Sequence, residues 1–250
     1  MSGHSKWAGI KHRKGALDAQ RGKIFSKLIR EITVAARSGG GNPENNARLR
    51  MVLEKAKGEN MPADNIKRAI QRGTGELPGI VVEEVTYEGY GPGGVAMLVE
   101  AMTDNKNRTT SEIRRIFSRG GGNMGESGCV SWMFHKKGCL SVDKKEIGED
   151  ELLEMIMEAG VEDMKLEDEV YEITTDPQSF EEVKNILTKN GLKLKFAEIS
   201  MEPQSYIKID ANTARSVLKL IEALEEDEDV QEVYSNSDIP DEVMQELQQG

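Results

Sequence analysis

Over the first 23 residues, MSGHSKWAGIKHRKGALDAQRGK, six cations stand against a single acid. They are Lys6, Lys11, Arg13, Lys14, Arg21 and Lys23, and the acid is Asp18. Lys and Arg side chains neutralise phosphates and release condensed counterions. Trp7 adds a flat aromatic face, worth about 1–3 kcal/mol for each nucleobase stacked on it. The apolar residues Trp7, Ala8 and Ile10 are too few and too close to draw a buried face through the segment. A basic, glycine-punctuated arm of this kind either lies on nucleic acid or docks on its own protein.

Other residue sets invite chemistry and mostly fail to support it. YEGYGPGG at 87–94 matches neither the P-loop nor the dinucleotide fingerprint, and no P-loop lysine follows it, so a hairpin turn is the simpler reading. The loop at 119–128, RGGGNMGESG, is richer, because successive glycine N–H groups can form an anion nest beside Arg119. A phosphate contact there competes with a plain flexible connector. Asp104, Asn105, Asn107, Thr109 and Thr110 resemble an active-site cluster, yet Asp and Asn ahead of a helix serve as caps and turns. Cys129 and Cys139 are too few for a disulfide framework and have no His base placed beside them by spacing. With only His4, His12 and His135, a zinc site is not expected. The reading is of a protein without catalytic residues, metal, cofactor or small-molecule substrate.

The elements that must position the cations follow from hydrophobic periodicity. Ile24, Phe25, Leu28, Ile29, Ile32, Ala35 and Ala36 form one helical stripe over 22–37, with Lys23, Lys27, Arg30 and Arg37 outside it. Asn42-Pro43 reads as the cap and first residue of a second helix, with Ala47, Leu49, Val52, Leu53 and Ala56 inward. Met61-Pro62 opens a third, with Ile66, Ala69 and Ile70 inward and Lys67, Arg68 and Arg72 outward. Three short helices with short connections predict a small antiparallel bundle with basic faces. From residue 80 the pattern turns to strands: a hairpin through 81–103, a helix over 107–119, and a strand CVSWMFH. Residues 138–200 then read β-α-β-β-α-β, the order of a ferredoxin-like sandwich. Strand YIKIDA, helix 212–226 and strand VQEVYSN supply the partners that the first β-β-α-β lacks. The expected class is therefore α+β, a basic three-helix bundle plus two α/β sandwiches, one inserted into the other. The boundaries are 1–78 for the arm and bundle, 79–135 with 203–250 for the discontinuous middle domain, and 136–202 for the insert.

Charge separates along the same lines. The net charge of −11 argues against a polyanion partner, but residues 1–75 carry 16 Lys/Arg and 6 Asp/Glu, while the remainder is net −21. Such asymmetry marks a polyanion-binding portion on an acidic remainder; the blander reading is that the two portions attract each other. No apolar run reaches membrane-spanning length and no secretory signal is seen, so a cytoplasmic protein is expected. The candidate nucleic-acid contacts are Lys6, Trp7, Lys11, His12, Arg13, Lys14, Arg21, Lys23, Arg48, Arg50, Lys67, Arg68, Arg72 and Arg119.

The segments GHSKWAGIKHRKGALDAQRGKIF, NARLR, MPADNIKRAIQRG, YEGYGPGG, TDNKNRT and RGGGNMGESGCVSWMF occur in that order across nearly the whole chain. Together they resemble the YebC family, which includes PmpR-type transcriptional regulators and the mitochondrial translational activator of cytochrome oxidase subunit one. Asn42, Ala47 and Cys129 depart from the pattern, where Asp, Pro and Ser are usual, and none of the three touches the basic surface. The resemblance implies three domains and a non-enzymatic, DNA-binding regulator of transcription. Its alternative is a ribosome-associated translation factor that contacts ribosomal RNA and tRNA.

Overall fold

The computed structural model describes residues 18–79, 81–167 and 169–249, with side chains over 22–246 of these. The described residues fall into two compact units: one takes 18–130 and 212–233, the other 131–211 and 234–249.

In the first unit, helix α1 (Asp18–Gly39) lays its apolar stripe against α2 (Ala47–Gly58) and α3 (Ala63–Gly73). Leu28, Ile32, Ala35, Leu49, Val52, Ala56, Met61 and Ala69 close into one core. Helix α2 begins four residues later than Asn42-Pro43 suggested. Asn42 instead makes an Asx turn, its Oδ1 accepting from the Glu44 N–H at 3.0 Å, and the cap passes to Asn46. The Asn46 Oδ1 accepts from the Leu49 N–H at 3.0 Å, while its Nδ2 donates to the carbonyls of Ala35 and Gly40, both at 2.8 Å. One buried amide thus ties the end of α1 to the start of α2. Gly73 lets α3 cross α1 closely, since a Cβ there would lie 2.4 Å from the Thr33 carbonyl oxygen.

The unit continues with strands β1 (Glu83–Tyr90) and β2 (Ala96–Thr103), an antiparallel hairpin. Its turn is the YEGYGPGG segment: the Gly91 N–H donates to the Val95 carbonyl at 2.8 Å, and Gly93 and Gly94 take φ of 73° and 75°. Helix α4 (Lys106–Arg119), capped by Asn105 Oδ1 on the Arg108 N–H, buries Ile113 and Phe117 and leads to the short strand β3 (Asn123–Met124).

The second unit opens with a 3-10 turn at Ser131–Met133 and strand β4 (Phe134–Asp143). CVSWMFH is therefore not one strand. The N–H groups just before the turn are held by a side chain, not by a neighbouring strand (below). Helix α5 (Glu149–Ile156), β5 (Val161–Glu167), β6 (Val170–Thr175), α6 (Phe180–Lys189) and β7 (Leu194–Pro203) follow. The sheet order β5-β6-β4-β7, antiparallel throughout, is the ferredoxin-like arrangement that β-α-β-β-α-β predicts.

Strand β8 (Ile207–Lys208) is far shorter than YIKIDA promised. Helix α7 (Ala211–Glu225) begins three residues beyond it, and β9 (Val230–Ser235) follows. β9 alone returns to the first sheet, in the order β3-β1-β2-β9. β8 pairs instead with β10 (Ser237–Asp238) in a two-stranded parallel ribbon, and α8 (Asp241–Gln249) ends the chain. The whole is an α+β protein. No described helix is long and apolar enough to cross a membrane.

Candidate nucleic-acid interface

Lys23, Lys27 and Arg30 recur on one face of α1 and meet the end of α7. Lys27 Nζ donates to the Glu225 carbonyl at 2.8 Å, and Lys23 Nζ to the Glu226 carbonyl at 3.4 Å. Arg30 donates to the Glu228 carbonyl and lies 3.1 Å from Asp229 Oδ1. The acceptors are the open carbonyls at and just beyond a helix C-terminus, the negative pole of its dipole. Arg37 reaches the Val82 carbonyl at 2.5 Å. Arg48 grips Glu84 at both carboxylate oxygens, 2.5 and 3.2 Å away. Arg50 donates to the Pro43 carbonyl at 3.0 Å, and Lys55 sits 3.8 Å from Glu232. A good part of the bundle's positive charge thus faces its own protein, as the blander reading of the charge asymmetry had it.

Helix α3 is different. Ala69 is buried and Ile66 and Ile70 are half-buried in the bundle core, which turns Lys67, Arg68 and Arg72 outward. All three are exposed and have no carboxylate partner among the described residues. Arg68 and Arg72 are four apart and so stack on one face, with Lys67 beside them. Arg119 at the end of α4 is likewise exposed. Of the remaining candidates, Lys6, Trp7, Lys11, His12, Arg13, Lys14 and the Arg21 side chain lie outside the described residues.

The glycine loop after Arg119 does form a nest, and the protein fills it. The Glu88 carboxylate, 4% exposed, accepts from the Gly128 N–H at 2.7 Å and from the Val130 N–H at 2.8 Å. The Glu88 carbonyl takes the Gly125 N–H at 2.8 Å. Gly120 and Gly122 donate back to Ile116 and Phe117 of α4. A phosphate on these amides would have to displace a buried carboxylate.

The Asp/Asn/Thr cluster is also structural, organised by a residue far away in sequence. Asp229, 4% exposed, accepts from Thr109 Oγ1 at 2.6 Å, Arg108 Nη2 at 2.7 Å and Thr103 Oγ1 at 3.1 Å. Its other oxygen faces Arg30. Burial pushes the Asp229 pKa up, but the hydrogen bonds from Thr109 and Arg108 and the Arg30 charge outweigh it and hold the carboxyl below the usual range. Burial also raises the pKa of Cys129, and burial with Glu202 nearby raises that of Cys139 much further, so neither is an activated nucleophile. No group of three metal-ligating side chains occurs among the described residues.

Residues 5–76 match the family description "TACO1/YebC protein N-terminal domain", and residues 82–237 match "TACO1/YebC second and third domain". The chain belongs to the YebC family. A relative from Geotalea uraniireducens, named "Probable transcriptional regulatory protein", is 59% identical over 247 residues, covering 99% of this chain and all of its own length. One of the same name from Dictyoglomus turgidum is 55% identical over 248 residues, with 99% and 100% covered. A crystal structure titled as a conserved hypothetical protein Aq1575 from Aquifex aeolicus superposes with a TM-score of 0.78 at 55% identity, over 89% of this chain and 92% of that one. The family is thus one of regulatory proteins. Glu88 and Asp229, which shape the loop and the cluster, were invisible to sequence reasoning. Asp229 closes the acidic run Glu225–Asp229 just ahead of β9, which in one dimension reads as a solvated face, and Glu88 lies in the mixed polar and aromatic stretch EEVTYEGY of β1.

Proposed function

We propose that this chain is a non-enzymatic, cytoplasmic regulator of gene expression that binds nucleic acid through its basic arm and bundle. The observation that carries the reading is the outer face of α3, where Lys67, Arg68 and Arg72 stand exposed with no carboxylate partner among the described residues while neighbouring cations are spent on internal partners. Phosphate oxygens satisfy such groups, and by sequence the arm adds the cations Lys6, Lys11, Arg13 and Lys14 and the aromatic face of Trp7. The relatives' name, transcriptional regulatory protein, points to promoter DNA as the polyanion. A second reading, ribosomal RNA and tRNA on the ribosome, is favoured by the net −21 charge after residue 75, which repels a long DNA rod more than it does a confined RNA crevice.

K67E/R68E/R72E tests the interface. Duplex DNA or RNA affinity should fall steeply, and the log–log salt slope should drop by roughly 0.7–0.9 for each phosphate that is no longer neutralised. An unchanged slope removes α3 from the interface. Crosslinking and sequencing of bound nucleic acid from cells, with ribosome co-sedimentation, separates the targets: promoter duplexes without ribosomal RNA would eliminate the translation reading.

A further inference from the structure

Within the first unit, α4 and α7 flank an open cleft of about 720 Å³. Its floor is apolar, half-buried Ile116 and exposed Ala223 above the buried Leu220, and its rim is charged. The rim cations are Lys23, Arg115, Arg119 and Lys219; the acids are Glu112, Glu226 and Asp227. Internal pairing sorts them. Arg115 is forked onto Glu112, its Nε 3.1 Å from Oε2, and the two cancel. Asp227 Oδ1 accepts the Asp229 N–H at 2.9 Å, and Asp227 and the exposed Glu226 keep their charge, so four cations against three acids leave the rim net +1. Among the described residues, Lys23 makes its long bond to the Glu226 carbonyl. Arg119 and Lys219 remain exposed, with no carboxylate partner among the described residues. Helix α4 as a whole carries five cations and one acid in an otherwise acidic stretch of chain.

We infer that this cleft is a second nucleic-acid subsite, holding one nucleotide of a single-stranded segment. Arg119 and Lys219 take its phosphate, and the sugar and base lie over Ile116 and Ala223. The volume is that of a small-ligand cleft, and an apolar floor beneath a cationic rim matches the two halves of a nucleotide. A base inside a duplex cannot reach the floor without leaving its stack, which is why the ligand is single-stranded. The inference rests on the nucleic-acid reading above and extends it from the bundle to the α/β layer.

The test uses the full chain and fluorescence anisotropy with two probes, a labelled single-stranded RNA dodecamer of mixed sequence and a duplex DNA of equal length. R119E/K219E should weaken RNA binding on the order of tenfold and lower the salt slope by roughly 1.4, two cations at about 0.7 each. Duplex binding should fall by clearly less than RNA binding, because a stacked duplex cannot enter the cleft and loses only what Arg119 and Lys219 contribute outside it. A223W, which fills the cleft without altering charge, should weaken RNA binding and leave the salt slope alone. RNA binding unchanged in either variant, or equal losses on RNA and duplex, would overturn the subsite. If K67E/R68E/R72E weakens RNA binding while both cleft variants do not, the subsite fails and the bundle reading stands. If none of the three variants changes binding to either probe, the reading itself falls and the subsite with it.

Discussion

At the scale of single residues, Asp229 decides most. Four donors converge on one buried carboxylate, and three of them, Thr103, Arg108 and Thr109, come from a segment that looks like an active site in one dimension. Removing the carboxylate takes the shared acceptor from all four donors and leaves Arg108 with Asp104, Arg30 with the Glu228 carbonyl and Thr109 with the Asn105 carbonyl. D229A should therefore cost about 3 kcal/mol in urea unfolding at neutral pH. Because the folded pKa lies below the unfolded value of about 3.9, this contribution is complete above that pH. It is lost as pH falls through the folded value. The gap between wild type and D229A should accordingly hold steady down to about pH 4 and narrow below it. A gap that instead widened under acid would mean Asp229 is protonated in the native state.

At the scale of elements, the bundle depends on two close fits, the Asn46 bracket between α1 and α2 and the glycine crossing of α3 on α1. Gly73→Ala places a methyl 2.4 Å from the Thr33 carbonyl oxygen and 2.7 Å from the Ala36 Cβ, so the helices must part. The intrinsic helix gain of Ala over Gly, about 1 kcal/mol, works in the opposite direction. Overpacking should win, with a net loss of about 1–2 kcal/mol by thermal or urea unfolding. A stabilised variant would show that α3 can shift freely. The same displacement tilts Lys67, Arg68 and Arg72, so nucleic-acid affinity should fall along with stability.

At the scale of the whole molecule, the charge asymmetry has two destinations. Lys27, Arg30 and Arg48 face their own chain, while Lys67, Arg68 and Arg72 face outward. Equal changes at the two kinds of site should therefore differ in effect. R68A should reduce the salt slope of duplex binding by about 0.9, whereas R48A should alter it little. R48A should also cost under about 1 kcal/mol of stability, since the Arg48–Glu84 pair is 42% and 49% exposed. Equal slopes for the two variants would mean that charge acts here only as a diffuse field.

Much of this was legible in one dimension, where information is local. The apolar stripe of α1, the outward cations of α3, the YEGYGPGG turn and the β-α-β-β-α-β order follow from periodicity and turn chemistry within about 15 residues, the reach of such signals. The family likeness came from ordered segments of the same kind. What tertiary structure alone decided involves partners far apart in the chain. Asn46 took the cap from Asn42 because its amide could also reach Ala35 and Gly40. CVSWMFH broke at a turn just after Glu88, 42 residues earlier, had claimed the Val130 N–H. YIKIDA gave up the first sheet because its backbone pairs with 236–238. Composition and spacing determined that this chain carries a basic module on an acidic α+β protein. Which of the described cations face the chain's own acceptors and which stand exposed was decided only by folding, because a charge is spent or spared according to what stands opposite it, and that neighbour is rarely near in sequence.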